Sequence, residues 1–434
     1  MKTEIQTVRA RRIWDSRGRP SVEVEVALAG GATGRGMAPA GASRGTNEAT
    51  DLRDGDGAFG GFDVQRAIAN VTSVIAGAIL GQDAADQARV DALLIELDPT
   101  PTKERIGGNA SIATSMAVLQ AAANAAGRPL WRHLAGQDEV RLPLPEVQIF
   151  GGGAHAGRRI DIQDLLIMPL AADTFSRALE MVAEVYIAAG RIMEEQGKRS
   201  GVADEGGWWP DFDSNEQAIE TLLVSIERAG FRPGDDIAIS LDLAASEFYR
   251  NGFYVLGLES RTLDRQEWIA TLMGWLRKYP IVSLEDPVAE NDAEGMADIT
   301  SRTAGRVQII GDDFLVTSER RIEAAAASGC CNAVLLKPNQ VGTITETKRA
   351  LDAARAKNWG CIVSARSGET EDTTIVHLAT GWDAGQLKVG SFARSERMAK
   401  WNEGLRIEDA VGRHVGYAGA AALPCDWSRG PYWS

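Results

Sequence analysis

The sequence predicts an α/β protein with two domains, an N-terminal α+β cap over residues 1–139 and a closed β/α barrel over 140–434. Three observations predict it. The 434 residues are too many for one ordinary core and enough for a barrel of about 250 residues with a second domain beside it. Short runs rich in Ile, Leu and Val recur through the second part between longer amphipathic segments; strands apolar on both faces belong to a parallel sheet covered by helices. Residues 4 to 28 alternate apolar and polar instead, the pattern of a half-buried antiparallel pair.

In chain order, Val8 and Ile13 precede, and Val22, Val24 and Val26 follow, the turn chemistry of Asp15-Ser16-Arg17-Gly18-Arg19-Pro20. The stretch from Gly34 to Gly45 has too little apolar content to pack, and predicts a mobile surface loop over residues 34–46. Helical periodicity then runs to about residue 136, clearest in Ser111 to Ala126, and Leu142-Pro143-Leu144-Pro145 marks the boundary region. Beyond it lie Ile237–Leu241, Ile281–Leu284, Val307–Ile310, Ala333–Leu336 and Cys361–Val363. So many buried runs in succession favour a closed barrel over an open doubly wound sheet.

Composition excludes several function classes. A formal charge of −14 lacks the basic footprint that sequence-independent nucleic-acid binding needs. No apolar run reaches membrane-spanning length. Met1-Lys2-Thr3-Glu4 leads into a strand pattern without the apolar core of a signal peptide, so cytoplasmic residence is the expectation. Cys330, Cys331, Cys361 and Cys425 show no paired C-x-x-C spacing and read as buried thiols.

Four of the apolar runs end in charge: Asp242, Glu285 and Lys337 follow directly, and Asp312 follows after Gly311. Barrel enzymes carry their chemistry at that end of the strands. Each separation leaves room for one helix and a return, so all four should meet at one mouth. Three carboxylates this close repel one another without a cation, and hard oxygen donors with room for water and substrate suit Mg²⁺. A lysine beside a dication has its ammonium form disfavoured, which makes Lys337 the candidate base for removing a proton alpha to a carboxylate.

Further segments carry a resemblance: Trp14-Asp15-Ser16-Arg17-Gly18, Gly41-Ala42-Ser43, Gly152-Gly153-Ala154-His155-Ala156, Asp204-Glu205-Gly206-Gly207, Ser240 to Tyr249, Ser283-Leu284-Glu285-Asp286-Pro287, Gly311-Asp312-Asp313 and Arg366 to Asp372. Together with the charged strand ends they resemble the enolase family over essentially the whole chain. The resemblance implies a cap over a modified eight-stranded barrel, and a homodimer or higher oligomer. It implies Asp242, Glu285 and Asp312 as ligands of a first Mg²⁺, and Ser43 as ligand of a second that arrives with a small anionic substrate. By the same resemblance Arg366 and Ser367 bind phosphate, Lys388 grips the substrate carboxylate, Glu205 helps a C3 hydroxyl leave and His155 closes over that hydroxyl.

The chain also departs from the family pattern. Asp161-Ile162-Gln163, with Gln163 a candidate substrate contact, is followed by Asp164 where family enolases have a glutamate that partners the Glu205 position. Ala365 stands where they have a histidine. Arg44, Arg158 and Arg159 add charge to two loops that close over substrate, and guanidinium matches carboxylate and phosphoryl oxygens bidentately. These changes motivate the expectation of a specialised relative, a carboxyphosphonoenolpyruvate synthase of a phosphinothricin-type pathway, acting on a more anionic three-carbon acid. The alternatives are a phosphopyruvate hydratase, interconverting 2-phosphoglycerate and phosphoenolpyruvate, and a non-catalytic enolase-derived binding protein.

Overall fold

The computed structural model describes residues 2–55, 57–412, 416–425 and 432–433. Three antiparallel strands lead, β1 (Ile5–Trp14), β2 (Pro20–Leu28) and β3 (Thr33–Met37), in the order β1-β2-β3. The alternation in the sequence is that of β1 and β2, whose register sets Val8 opposite Val26 and Ala10 opposite Val24. Asp15 closes the turn between them, one carboxylate oxygen accepting the amides of Arg17 and Arg19 at 2.9 Å each.

β3 corrects the reading of residues 34–46 as one mobile loop. Gly34 and Gly36 lie in this strand, pressed against the buried helix Gly108–Ala125. A Cβ at Gly34 would sit 2.2 Å from the Ala121 amide nitrogen and 2.3 Å from the Ala117 carbonyl; one at Gly36 would sit 2.3 Å from the Ala113 carbonyl. Glycine here permits close approach of two backbones, and only the segment after Met37 is irregular. Gly34→Ala is therefore expected to cost about 1–3 kcal/mol in urea unfolding. Gly77→Ala, where a Cβ meets nothing within 4 Å, is the control with little or no loss.

Eight strands then close a barrel: β4 (Leu144–Gly151), β5 (Asp164–Met168), β6 (Ala238–Asp242), β7 (Ile281–Glu285), β8 (Gln308–Gly311), β9 (Ala333–Leu336), β10 (Gly360–Ser364) and β11 (Gly385–Ser391). The five apolar runs of the sequence are β6 to β10, buried along their whole length. The barrel is modified in one respect: β5 runs antiparallel to both β4 and β6, whereas the other neighbours are parallel. Its first residue, Asp164, thus lies opposite Asp242, at the end of the barrel where the parallel strands finish.

A buried carboxylate ties the cap to the barrel. Asp91, on the cap helix Gln87–Leu97, accepts the Ser115 hydroxyl at 2.6 Å and both the amide and hydroxyl of Thr345, at 2.9 and 2.6 Å, on the barrel helix Ile344–Arg355. Lys103 reaches the same helix through Glu346 at 2.9 Å. No helix among the described residues is long and apolar enough to cross a membrane.

Candidate active site

The charged strand ends converge. Asp242 closes β6 opposite Glu285 on β7, Asp312 follows β8 and Lys337 follows β9. Asp286, in a left-handed conformation (φ 39°), turns its carboxylate onto the amides of Asp312 and Asp313 at 2.9 and 2.7 Å, fixing the end of β8 to that of β7. Gln340 steadies Asp312 from the other side, donating to it at 2.9 Å. Two lysines face these acids. Lys388, on β11, donates to Asp242 at 2.9 Å and Glu285 at 2.7 Å, with Asp164 at 3.6 Å; Lys337 pairs with Asp312.

The electrostatics are those of crowded acids in a dry place. Burial, and then the Asp242 carboxylate with Asp312, hold the Glu285 carboxyl well above its ordinary value. Burial lowers the Lys337 ammonium, but Asp312 and Glu285 outweigh it, so Lys337 lies above the ordinary lysine value. The lowering expected from the sequence requires a dication beside it; the protein's own charges act the other way.

Mg²⁺ suits this mouth. Its donors are hard carboxylate oxygens, they repel one another, and Glu285 Oε1 is buried without a hydrogen-bond partner. Among the described residues, the groups with ligand atoms within 4.8 Å of one another are Asp286, Asp312 and Asp313, and His155, Asp164 and Glu205, not the triad expected from strand ends. Within the expected triad, Lys388 bridges Asp242 and Glu285, and Lys337 pairs with Asp312.

The second group centres on His155. His155 stands between two carboxylates, with Nδ1 2.9 Å from Asp164 and Nε2 3.7 Å from Glu205. Burial lowers its pKa, but Asp164 and Glu205 more than offset that and raise it to about 9. Gln148 also donates to Asp164. The shorter side chain at 164 therefore reaches the neighbourhood of Glu205 through the imidazole, which no strand-end rule could have indicated.

These residues share one cavity, lined by His155, Gln163, Asp164, Glu205, Asp242, Lys337, Arg366, Ser367 and Lys388, with Ser43, Ala365 and others. Glu285 and Asp312 are buried outside that lining. The loop bearing Ser43 is held down over it: Ala40 pairs with Gly368, Ala42 donates to the Ser367 hydroxyl at 2.5 Å, and Arg366 donates to the Ser43 carbonyl at 3.0 Å. A Cβ at Gly41 would fall 2.0 Å from the Arg366 guanidinium. Arg366 is aimed by Glu48 at 2.9 Å and Asn339 at 3.0 Å. The sequence reading names neither, although Asn339 lies only two residues beyond Lys337.

The structure does not bring Arg44, Arg158 and Arg159 to the cavity. Arg44 is exposed, Arg158 pairs with Glu247 and Arg159 with Asp211, and none lines the cavity.

Fold and site together define a carbon–oxygen lyase of the cap-and-barrel type, with buried carboxylates and two lysines at the barrel mouth. Residues 5–134 match the model for the enolase N-terminal domain, and residues 139–424 that for the enolase C-terminal TIM barrel domain. The chain is 49% identical to "Enolase 1" of Desulfitobacterium hafniense over 417 residues, 95% of each chain. It is 47% identical to "Enolase" of Acidothermus cellulolyticus over 420 residues, 97% of each. The chain belongs to the enolase family, whose cofactor is Mg²⁺. This overturns the expectation of a carboxyphosphonoenolpyruvate synthase: relatives this similar over the whole chain are named enolase, and two of the three arginines that motivated it are paired with carboxylates away from the cavity.

Proposed function

We propose that the chain is a phosphopyruvate hydratase, interconverting 2-phosphoglycerate and phosphoenolpyruvate, as a cytoplasmic homo-oligomer. The observation that carries this reading is the Asp164–His155–Glu205 group in the same cavity as Lys337, which supplies both halves of a dehydration. In this reading Asp242, Glu285 and Asp312 would hold Mg²⁺, with Ser43 available to a second ion. The metal, when bound, stabilises the negative charge that gathers on the substrate carboxylate.

The remaining chemistry belongs to the side chains. Arg366 and Ser367 bind the phosphate, Gln163 contacts the substrate, and Lys388 grips its carboxylate. Lys337, as the free amine, takes the C2 proton, and the electron pair of that bond moves toward the carboxylate. It returns to form the C2–C3 double bond as the C3–O bond breaks. Glu205, with His155 and Asp164 behind it, gives the proton that lets the hydroxyl leave as water.

Steady-state turnover of 2-phosphoglycerate, followed through phosphoenolpyruvate formation in a coupled absorbance assay, tests the reading. Turnover at about 1–1,000 s⁻¹, the ordinary range for enzymes, is the expected result. A rate orders of magnitude below it would overturn the proposal. Arg158→Ala and Arg159→Ala, whose partners lie outside the cavity, are expected to change kcat/KM by less than about twofold, in keeping with the small worth of exposed ion pairs.

A further inference from the structure

Inside the barrel lies a belt of polar side chains: Glu146 on β4, Ser240 on β6, Ser283 on β7, Gln308 on β8 and Gln386 on β11, all fully buried. Most of the belt satisfies itself. Gln308 and Gln386 exchange amide hydrogen bonds at 3.0 and 2.7 Å, and Gln308 also donates to Ser283 at 3.0 Å. Glu146 is the exception. One of its oxygens accepts the Ser240 hydroxyl, and the other, Oε2, is buried with no hydrogen-bond partner.

An unpartnered buried carboxylate oxygen is costly, so a compensating charge is to be sought nearby. The strand register supplies one: Glu146 on β4 is the direct cross-strand partner of Lys388 on β11. Burial pushes the Glu146 carboxyl above its ordinary value, and the Lys388 ammonium is foremost among the groups that oppose this, although no direct ion pair joins the two. Asp242 and Asp164 line the cavity, whereas Glu146 is fully buried outside that lining. In the reading above, Asp242 and Glu285 are the lysine's nearest partners and also the groups that metal would claim. Glu146 would then be a counter-charge that neither metal nor substrate displaces.

The geometry points to Glu146, oriented by Ser240, as a positioning residue that holds the Lys388 ammonium in place for the substrate carboxylate. This rests on the reading in which Lys388 grips that carboxylate. Because such a contact exists in ground state and transition state alike, its loosening should appear in KM more than in kcat.

The test is steady-state kinetics of the Mg²⁺-loaded full chain on 2-phosphoglycerate, with thermal unfolding of each variant. Glu146→Gln is expected to raise KM by roughly tenfold or more while kcat stays within about threefold. Glu146→Asp, which keeps the charge, should return KM to within about threefold of wild type, and Ser240→Ala should raise it by only about threefold. A second arm needs no turnover. Lys388→Met strands the carboxylates and lowers Tm, and adding Glu146→Gln to it should recover at least about 3 °C. A KM within twofold of wild type in Glu146→Gln, or no recovery of Tm in the Lys388→Met background, overturns the proposal. If wild type does not turn over 2-phosphoglycerate, the hydratase reading fails by itself, and the Tm arm still decides whether Glu146 acts through Lys388.

Discussion

Lys337→Met is expected to lower kcat on 2-phosphoglycerate by about ten-thousand-fold, equivalent to about 5.5 kcal/mol of barrier. Methionine fills similar space and lies at the end of the same strand, but its thioether cannot accept a proton at C2. The fold should survive. Asp312 loses its ammonium partner but keeps the Gln340 amide at 2.9 Å, and the side chain is one of several that line the cavity rather than part of the packed core. Circular dichroism and Tm check that point. In Lys337→Ala, which leaves room beside Asp312, added small primary amines should restore part of the rate, as a free base can when the tethered one is gone.

Glu285→Gln is the second large effect. The substitution keeps the shape and removes one negative charge from the donor set, so Mg²⁺ affinity should fall by roughly a hundredfold and turnover by roughly a thousandfold. Stability should move the other way or not at all. The Glu285 carboxyl is held above its ordinary value by burial and by Asp242, so near neutral pH its ionised form opposes folding, and a neutral amide relieves that. Calorimetric titration with Mg²⁺ and a thermal melt read the two arms. A loss of Tm parallel to the loss of activity would mean that Glu285 serves the fold and not the metal.

Much of this site is legible in sequence because a β/α barrel converts strand ends into neighbours. Asp242, Glu285, Asp312 and Lys337 each follow an apolar run, and the closed barrel brings them to one mouth. The rule fails where the barrel breaks its own regularity. β5 is reversed, so Asp164 reaches the same mouth from the start of a strand, where the pattern gives no reason to look. Glu146 and Gln148 were detectable in principle: they alternate with Pro145, Val147 and Ile149 in a strand otherwise apolar, and polar alternation there marks the barrel interior.

Two other misreadings share one cause. Glycine in the 34–46 segment reads as mobility in the sequence, but at Gly34 and Gly36 it measures how closely β3 approaches a helix about 80 residues later in the chain, a distance only the fold sets. Arginine at 44, 158 and 159 reads as anion binding in the sequence, but a charge on a loop does not state its direction. Arg158 and Arg159 find Glu247 and Asp211, carboxylates remote in sequence that composition cannot pair with them. At Asp164, what sequence could not supply was His155 standing 2.9 Å from Asp164 and 3.7 Å from Glu205.

Exchange of the C2 hydrogen of 2-phosphoglycerate with deuterium oxide, followed by proton magnetic resonance in the presence of Mg²⁺, tests the enolate-forming mouth most directly because it does not require the hydroxyl to leave. Exchange in wild type and in Glu205→Gln, abolished in Lys337→Met and by chelation of the metal, is the expected result. Absence of exchange in wild type with Mg²⁺ present, or its persistence in Lys337→Met, would contradict it.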